Sequence, residues 1–202
     1  MTRLEADASA DALARIVHEV GRRTPSPRED DDYVGCELEA LHRALSVIQA
    51  EGLARGRRFC EWGSGLGGGC GVASLNGFDA VGIEIRPDLV ASSRALVEDL
   101  GLPVVFAEGS FLLPGDENLP AAATARTRLR IDSPQWRTVA LQSEESDVVF
   151  VYPWPGEEQF IEAVFSRRAT SGALLLTFHD RGRVLAQRKL VDQAELRVIG
   201  WL

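Results

Sequence analysis

Between residues 58 and 178, short apolar runs alternate with stretches of helical spacing, and this alternation constrains the fold more than any other feature. Arg58–Trp62, Ala80–Glu84, Pro103–Ala107, Asp147–Val151 and Ala173–Phe178 read as strands. A glycine-rich turn leads from the first strand into a helix ending near Asn76. Pro87–Leu100 reads as a second helix, with proline in its first turn and Gly101 just past its end. Glu157–Arg167 reads as a third. Strand–helix–strand alternation implies parallel strands, because each helical crossover returns the chain to the same edge. The tail breaks the pattern. Arg183–Val191 and Glu195–Trp201 read as two strands joined by a short turn. The expected fold is therefore α/β: a mostly parallel sheet with helices on both faces and a C-terminal antiparallel hairpin.

Upstream, Leu13, Ile16, Val17 and Val20 mark a helix over roughly 5–20. A loop follows over Gly21–Asp32, with Pro25, Pro27 and an acidic run, Glu29–Asp32, that reads as a solvated stretch. Leu38, Leu41, Leu45 and Ile48 mark a second helix over roughly 35–53, ended by Gly52 and Gly56. Residues 1–57 thus read as an N-terminal helical cap and 58–202 as the core. With 202 residues in all, the two form one structural domain. Segment 112–145 contains Pro114, Gly115, Pro120, an alanine run and the arginines Arg126, Arg128, Arg130 and Arg137. It reads either as a lid or as a surface excursion.

Composition removes several classes of function. With 22 basic and 30 acidic residues the net charge is −8, which disfavours broad nucleic-acid binding. Lys189 is the sole lysine and follows Arg188, so there is no P-loop, and Schiff-base chemistry would have to use that residue. Cys36, Cys60 and Cys70 form no Cys-x-x-Cys pair, which points to buried thiols in a reducing, cytoplasmic compartment. Residues 1–7 carry no apolar signal core, and no apolar run approaches the ~20 residues of a membrane span. No metal-ligand cluster is evident, so no metal is expected.

The sharpest motif is Glu61-Trp62-Gly63-Ser64-Gly65-Leu66-Gly67, where a strand becomes a helix. Six of the nine residues 63–71 are glycine, which is costly for a helix start. Such a run lets backbone approach a bulky ligand, which explains it better than packing does. Gly63, Gly65 and Gly68 satisfy Gly-x-Gly-x-x-Gly, a weak signal alone. Glu84, 19 residues past Gly65, ends the next strand, where an acid can accept both ribose hydroxyls of a nucleoside. Glu61 discriminates between ligands. A carboxylate there repels a pyrophosphate and favours a cationic group.

These residues resemble the class I S-adenosylmethionine-dependent methyltransferases, a Rossmann-like family. Glu61-x-Gly63-x-Gly65-x-Gly67 is similar to their first motif and Val81-Gly82-Ile83-Glu84 to their second. The likeness covers roughly 58–178, and the terminal hairpin resembles the reversed last strand pair of that fold. The resemblance implies S-adenosylmethionine as cofactor. It implies a cofactor-binding set of Glu61, Gly63, Ser64, Gly65, Gly67, Glu84, Ile85, Glu108, Ser110 and Tyr152. Glu61 would lie near the methionine moiety and Glu84 would hold the ribose. The two N-terminal helices would cap the cofactor edge.

Two motifs depart from the family. After the third strand the run is Ala107-Glu108-Gly109-Ser110-Phe111, with Ser110 where an acid facing the adenine amino group is usual. The resemblance implies that either Ser110 or Glu108 would take that contact, the other reading being a polar strand end. The fourth strand ends in Tyr152-Pro153-Trp154-Pro155-Gly156, with Tyr152 in place of the acid or amide of base-methylating relatives. Trp154 offers a flat face to a planar or cationic substrate, or is a core residue of a rigid turn. The fifth strand ends in Phe178-His179-Asp180, and His179 is a candidate general base or a structural histidine. Tyr152 and His179 are thus the catalytic candidates, and Trp154 the substrate candidate. The expected function is S-adenosylmethionine-dependent methyl transfer to a small-molecule or protein acceptor. A non-catalytic S-adenosylmethionine-binding protein is the alternative. An NAD(P)-dependent oxidoreductase, which lacks a Tyr-x-x-x-Lys pair here, ranks behind it.

Overall fold

The computed structural model describes residues 3–24, 34–120, 144–179, 182–190 and 195–202. Two helices come first, α1 (Arg3–Arg23) and α2 (Leu38–Ala50). The alternating region follows as β1 (Arg58–Trp62), α3 (Gly68–Leu75), β2 (Asp79–Glu84), α4 (Pro87–Leu100) and β3 (Val105–Glu108). A 3-10 turn at Asp116–Asn118 follows, and then, among the described residues, β4 (Val148–Val151), α5 (Glu158–Arg168) and β5 (Leu174–His179). The chain closes with β6 (Arg183–Lys189) and β7 (Leu196–Trp201). The seven strands form one sheet in the order β3-β2-β1-β4-β5-β6-β7. The first five are parallel; β6 is antiparallel to β5, and β7 to β6. This is the expected Rossmann-like α/β sheet with its terminal antiparallel hairpin.

The central strands are buried on both faces, which is why they read as nearly continuous apolar runs. Phe59, Val148, Phe150, Leu174, Leu176 and Phe178 pack in one cluster with side chains of α1 to α4. Their neighbours Cys60, Trp62, Val149, Val151 and Leu175 pack on the opposite face with Phe160, Ile161, Val164 and Phe165 of α5. The first helices belong to this core. Ile16 of α1 and Leu38, Leu41, Leu45 and Ile48 of α2 lie in the same cluster as Phe59 and Phe150. Each such side chain contributes roughly 1.5–3 kcal/mol through the water it no longer orders.

Two boundaries differ from the sequence expectation for local reasons. β3 starts at Val105 rather than Pro103, since proline offers no amide to the ladder and the Val104 amide turns back to Leu102 O at 2.9 Å. α2 starts at Leu38 rather than near residue 35, where the first amides turn onto the Glu37 carbonyl.

The described start of the crossover from β3 to β4, as far as residue 120, lies along the α5 face. Phe111 stacks on Trp62 with ring centroids 5.0 Å apart and planes 3° from parallel. Further on, Asp116 pairs with Arg168 at the end of α5, and Arg168 also donates to Phe111 O at 3.0 Å. The acidic run Glu29–Asp32 and the arginines at 126, 128, 130 and 137 lie outside the described residues. The flanks of 121–143 sit toward the amino-terminal ends of the strands. Asp116 is held by the last residue of α5, and Glu145 pairs with Arg58 at the start of β1, 2.9 Å away.

At that same edge Asp147 joins three elements. Its carboxylate accepts the Arg58 amide at 3.0 Å and Arg55 Nε at 3.2 Å, while Arg55 also donates to Thr170 Oγ1 at 2.6 Å. Asp147 is 6% exposed, while the side chains of Arg55 and Arg58 reach water. Asp147→Ala is expected to destabilise the fold by about 1–3 kcal/mol, through loss of the charge-assisted hydrogen bonds from the Arg58 amide and Arg55. A lower urea midpoint with unchanged slope is the readout.

Candidate functional site

In open α/β sheets ligands bind beyond the carboxyl ends of the strands. Here the ends of β1, β2 and β3 bring Glu61, Glu84 and Glu108 to one edge, in neighbouring registers. The Gly63–Gly67 turn joins β1 to α3 with left-handed backbone at Gly63 (φ 72°), Gly65 (φ 52°) and Gly67 (φ 80°). Such φ values strain any residue with a Cβ. The amides of Gly63 and Ser64 both donate to Ile83 O, at 2.9 and 3.0 Å. The turn is thereby fastened to the end of β2.

Glu84 fastens it a second time. Its Oε2 accepts the Gly65 amide at 2.8 Å, and its Oε1 accepts the Arg86 amide at 2.9 Å. Both carboxylate oxygens therefore hold the chain's own backbone, and the side chain is buried. Ile85 beside it is 37% exposed, an apolar side chain left open at the rim. Across the ladder Glu108 is half-buried. Ser110 is buried, and its Oγ accepts the Leu112 amide at 3.0 Å, so the hydroxyl closes its own turn.

Glu61 lies under the first turn of α3, where its Oε2 accepts the Cys70 amide at 2.8 Å. Burial pushes its carboxyl up to about 8; the Cys70 hydrogen bonds oppose that rise and the nearby Glu84 charge adds to it. A cation at this point would reverse the balance.

The glycines serve different purposes. A Cβ at Gly63 would meet open space, so that face of the turn is accessible. A Cβ at Gly67 would strike the Phe106 ring, one at Gly68 would crowd Leu38, and one at Gly69 would collide with Glu61 Oε1. These three are small because the protein packs there. The expectation that ligand approach explains the whole run is corrected to that extent. Phe106 and Gly82 are contributors that sequence reasoning missed. A Cβ at Gly82 would meet both Phe106 and Ser64 Oγ at 2.6 Å, and a glycine inside a strand was the available signal. The Ser64 hydroxyl is buried against Gly82 with no hydrogen-bond partner among the described residues.

The catalytic candidates face apart. Tyr152 is half-buried and packs edge-on against Phe178, ring centroids 4.8 Å apart, in the cluster lined by α1 to α4. His179 follows Phe178 and so points to the other face of the strand. Its Nε2 is hydrogen-bonded to Thr177 Oγ1 at 2.9 Å, and its ring meets Trp201 at 5.0 Å. The structure does not bring the two together. Trp154 is half-buried in the turn after β4, where its carbonyl accepts the Glu157 amide at 2.9 Å. Among the described residues no group of three or more His, Cys, Asp or Glu is placed to hold a metal, and no helix is long and apolar enough to cross a membrane.

No protein-family model matches the sequence, and no curated protein matches it either. Solved structures do match the fold. A Podospora anserina methyltransferase with bound S-adenosylhomocysteine aligns over 88% of this chain and 70% of its own, at 16% identity and a TM-score of 0.52. An RNA methyltransferase from Salinibacter ruber, also with S-adenosylhomocysteine, aligns over 76% of each chain at 20% identity and a TM-score of 0.47. A Geobacter sulfurreducens methyltransferase aligns over 81% of this chain and 54% of its own, at 18% identity and a TM-score of 0.46. This chain thus spans about half the length of the Geobacter protein. The fold is that of the S-adenosylmethionine-dependent methyltransferases.

Proposed function

We propose that the chain binds S-adenosylmethionine at the carboxyl edge of β1–β3 and transfers its methyl group to a small-molecule or protein acceptor. The observation that carries this reading is the pair of buried carboxylates, Glu61 and Glu84, on either side of a glycine turn whose Gly63 face is open. The donor set suits the ligand. Glu61 is enclosed and keeps its proton up to about 8, so a positive partner such as the ammonium of the methionine end would favour its ionised form. Glu84 keeps unused lone pairs on both oxygens for ribose hydroxyls, since each carboxylate oxygen accepts more than one hydrogen bond. Ile85 offers an apolar surface for the adenine, with Glu108 or Ser110 at its edge.

S-adenosylmethionine supplies an electrophilic methyl on a sulfonium. The contribution of this chain is to hold the acceptor in line with that methyl and to exclude water. Tyr152 and Trp154, at the end of the strand beside β1, are the candidates for the acceptor side. His179, turned toward Trp201, would act only from the opposite face. That engagement favours the second reading, a protein that binds S-adenosylmethionine without turnover.

Titration calorimetry separates these readings. S-adenosylhomocysteine is expected to bind and NADH to give no heat. Binding of NADH with no response to S-adenosylhomocysteine would replace this proposal with an oxidoreductase. Binding of S-adenosylmethionine with no S-adenosylhomocysteine formed across small-molecule and peptide acceptor panels would favour the non-catalytic reading.

A further inference from the structure

The two edges of the sheet are not equally protected. β3 is four residues long and follows a proline, features that discourage pairing. β7 is six residues long, and no strand pairs with its outer edge among the described residues. Its sequence, Leu-Arg-Val-Ile-Gly-Trp, contains no proline, no lysine and no acid. Val198 is 56% exposed and Trp201 51% exposed, while other large apolar side chains are mostly buried. Unpaired backbone beside open apolar side chains is a template for an added strand.

Charge indicates what that strand carries. Arg197 stands directly opposite Arg188 in the β6–β7 ladder, so two guanidinium side chains share one face. Arg188 turns its fork onto Gly172 O and Leu53 O at 3.2 and 2.7 Å. Arg197 has no ion-pair partner among the described residues; Glu195, two positions earlier, is the nearest acid in the strand's sequence. Near the other end Arg183 lies 4.6 Å over the Trp201 ring. This edge is basic on a chain whose net charge is −8. A second copy fits it poorly, because a twofold contact sets the same patch against itself and arginine against arginine.

We propose that β7 is a docking edge for an acidic extended peptide, which adds as an eighth strand with a carboxylate facing Arg197 and apolar side chains against Val198 and Trp201. Main-chain hydrogen bonds supply the pairing, and the arginines select the charge. The inference is independent of the methyl-transfer reading.

Fluorescence anisotropy with labelled eight-residue peptides tests it on the full chain. A peptide alternating glutamate and valine is expected to bind, more weakly as salt rises. Its lysine–valine counterpart should bind at least tenfold more weakly. The glutamate peptide N-methylated at alternate residues, which cannot pair as a strand, should also lose at least tenfold. Arg197→Glu should reverse the preference, and its circular dichroism should be unchanged. If that variant misfolds, the three peptides on the unaltered protein still decide. Equal binding of both charges, no binding at millimolar peptide, or undiminished binding of the N-methylated peptide would overturn the proposal. Sedimentation showing this edge covered by a second copy would do the same.

Discussion

Glu84→Ala is expected to weaken S-adenosylhomocysteine binding by well over tenfold. Two losses combine. The first is the hydrogen bonding to the ribose, where each charge-assisted bond is worth roughly 1.5–3 kcal/mol before water compensates, and ~1.4 kcal/mol is already a factor of ten. The second is internal. The Gly65 and Arg86 amides lose their acceptor, so the turn is no longer held in the conformation that receives the ligand. Glu84→Gln separates the two, since its amide oxygen keeps one backbone acceptor and its amide nitrogen adds a donor. Calorimetry should rank affinity as wild type, then Gln, then Ala. Affinity of the alanine variant within twofold of wild type would remove Glu84 from the site.

Glu61 should make ligand binding depend on pH, with affinity rising from pH 6 to 8. In the unfolded chain a glutamate ionises near 4.5; in the ligand-free fold Glu61 holds its proton to about 8. Its folded value is raised. The contribution to stability is therefore fully present below about 4.5 and is lost as pH climbs through about 8. A cationic ligand end selects the ionised carboxylate, so binding at neutral pH expels a proton. Affinity should climb by up to about tenfold per pH unit below the folded value, by proton linkage. Calorimetry in two buffers of different ionisation enthalpy should count about one proton released. Glu61→Gln should flatten the profile, and thermal melts of the free protein should lose their decline between pH 5 and 8. A pH-independent affinity in the wild type would detach Glu61 from the cationic end.

The parallel strands, the helices around them and the terminal hairpin were legible because each rests on a local period or a turn residue; the order β3-β2-β1-β4-β5 rests on pairing between distant segments and was not. That Glu61 and Glu84 stand at the ends of neighbouring strands was legible in the same way, within a few positions of each. The reasons for the glycines were not. Gly67 and Gly82 are small because Phe106, two elements on from Gly82 and four from Gly67, lies against both. A contact between distant segments leaves no periodic trace. Glu84's hold on Gly65 is the same kind of fact: the acid at a strand end was visible, but not the amide that it accepts. The opposed directions of Tyr152 and His179 were readable in principle. Phe178 packs with Tyr152, and a strand alternates its faces, so His179 had to look away.

The burial of α2 against the sheet bears on any attempt to trim this chain. A fragment beginning at Arg58 keeps every strand and the whole glycine turn. It nonetheless strips Leu41, Leu45 and Ile48 from over Phe59 and Phe150, baring one side of the sheet to solvent. Such a fragment should be recovered as inclusion bodies. Supplying residues 1–57 as a separate polypeptide should restore solubility by complementation, as two halves of one hydrophobic interior.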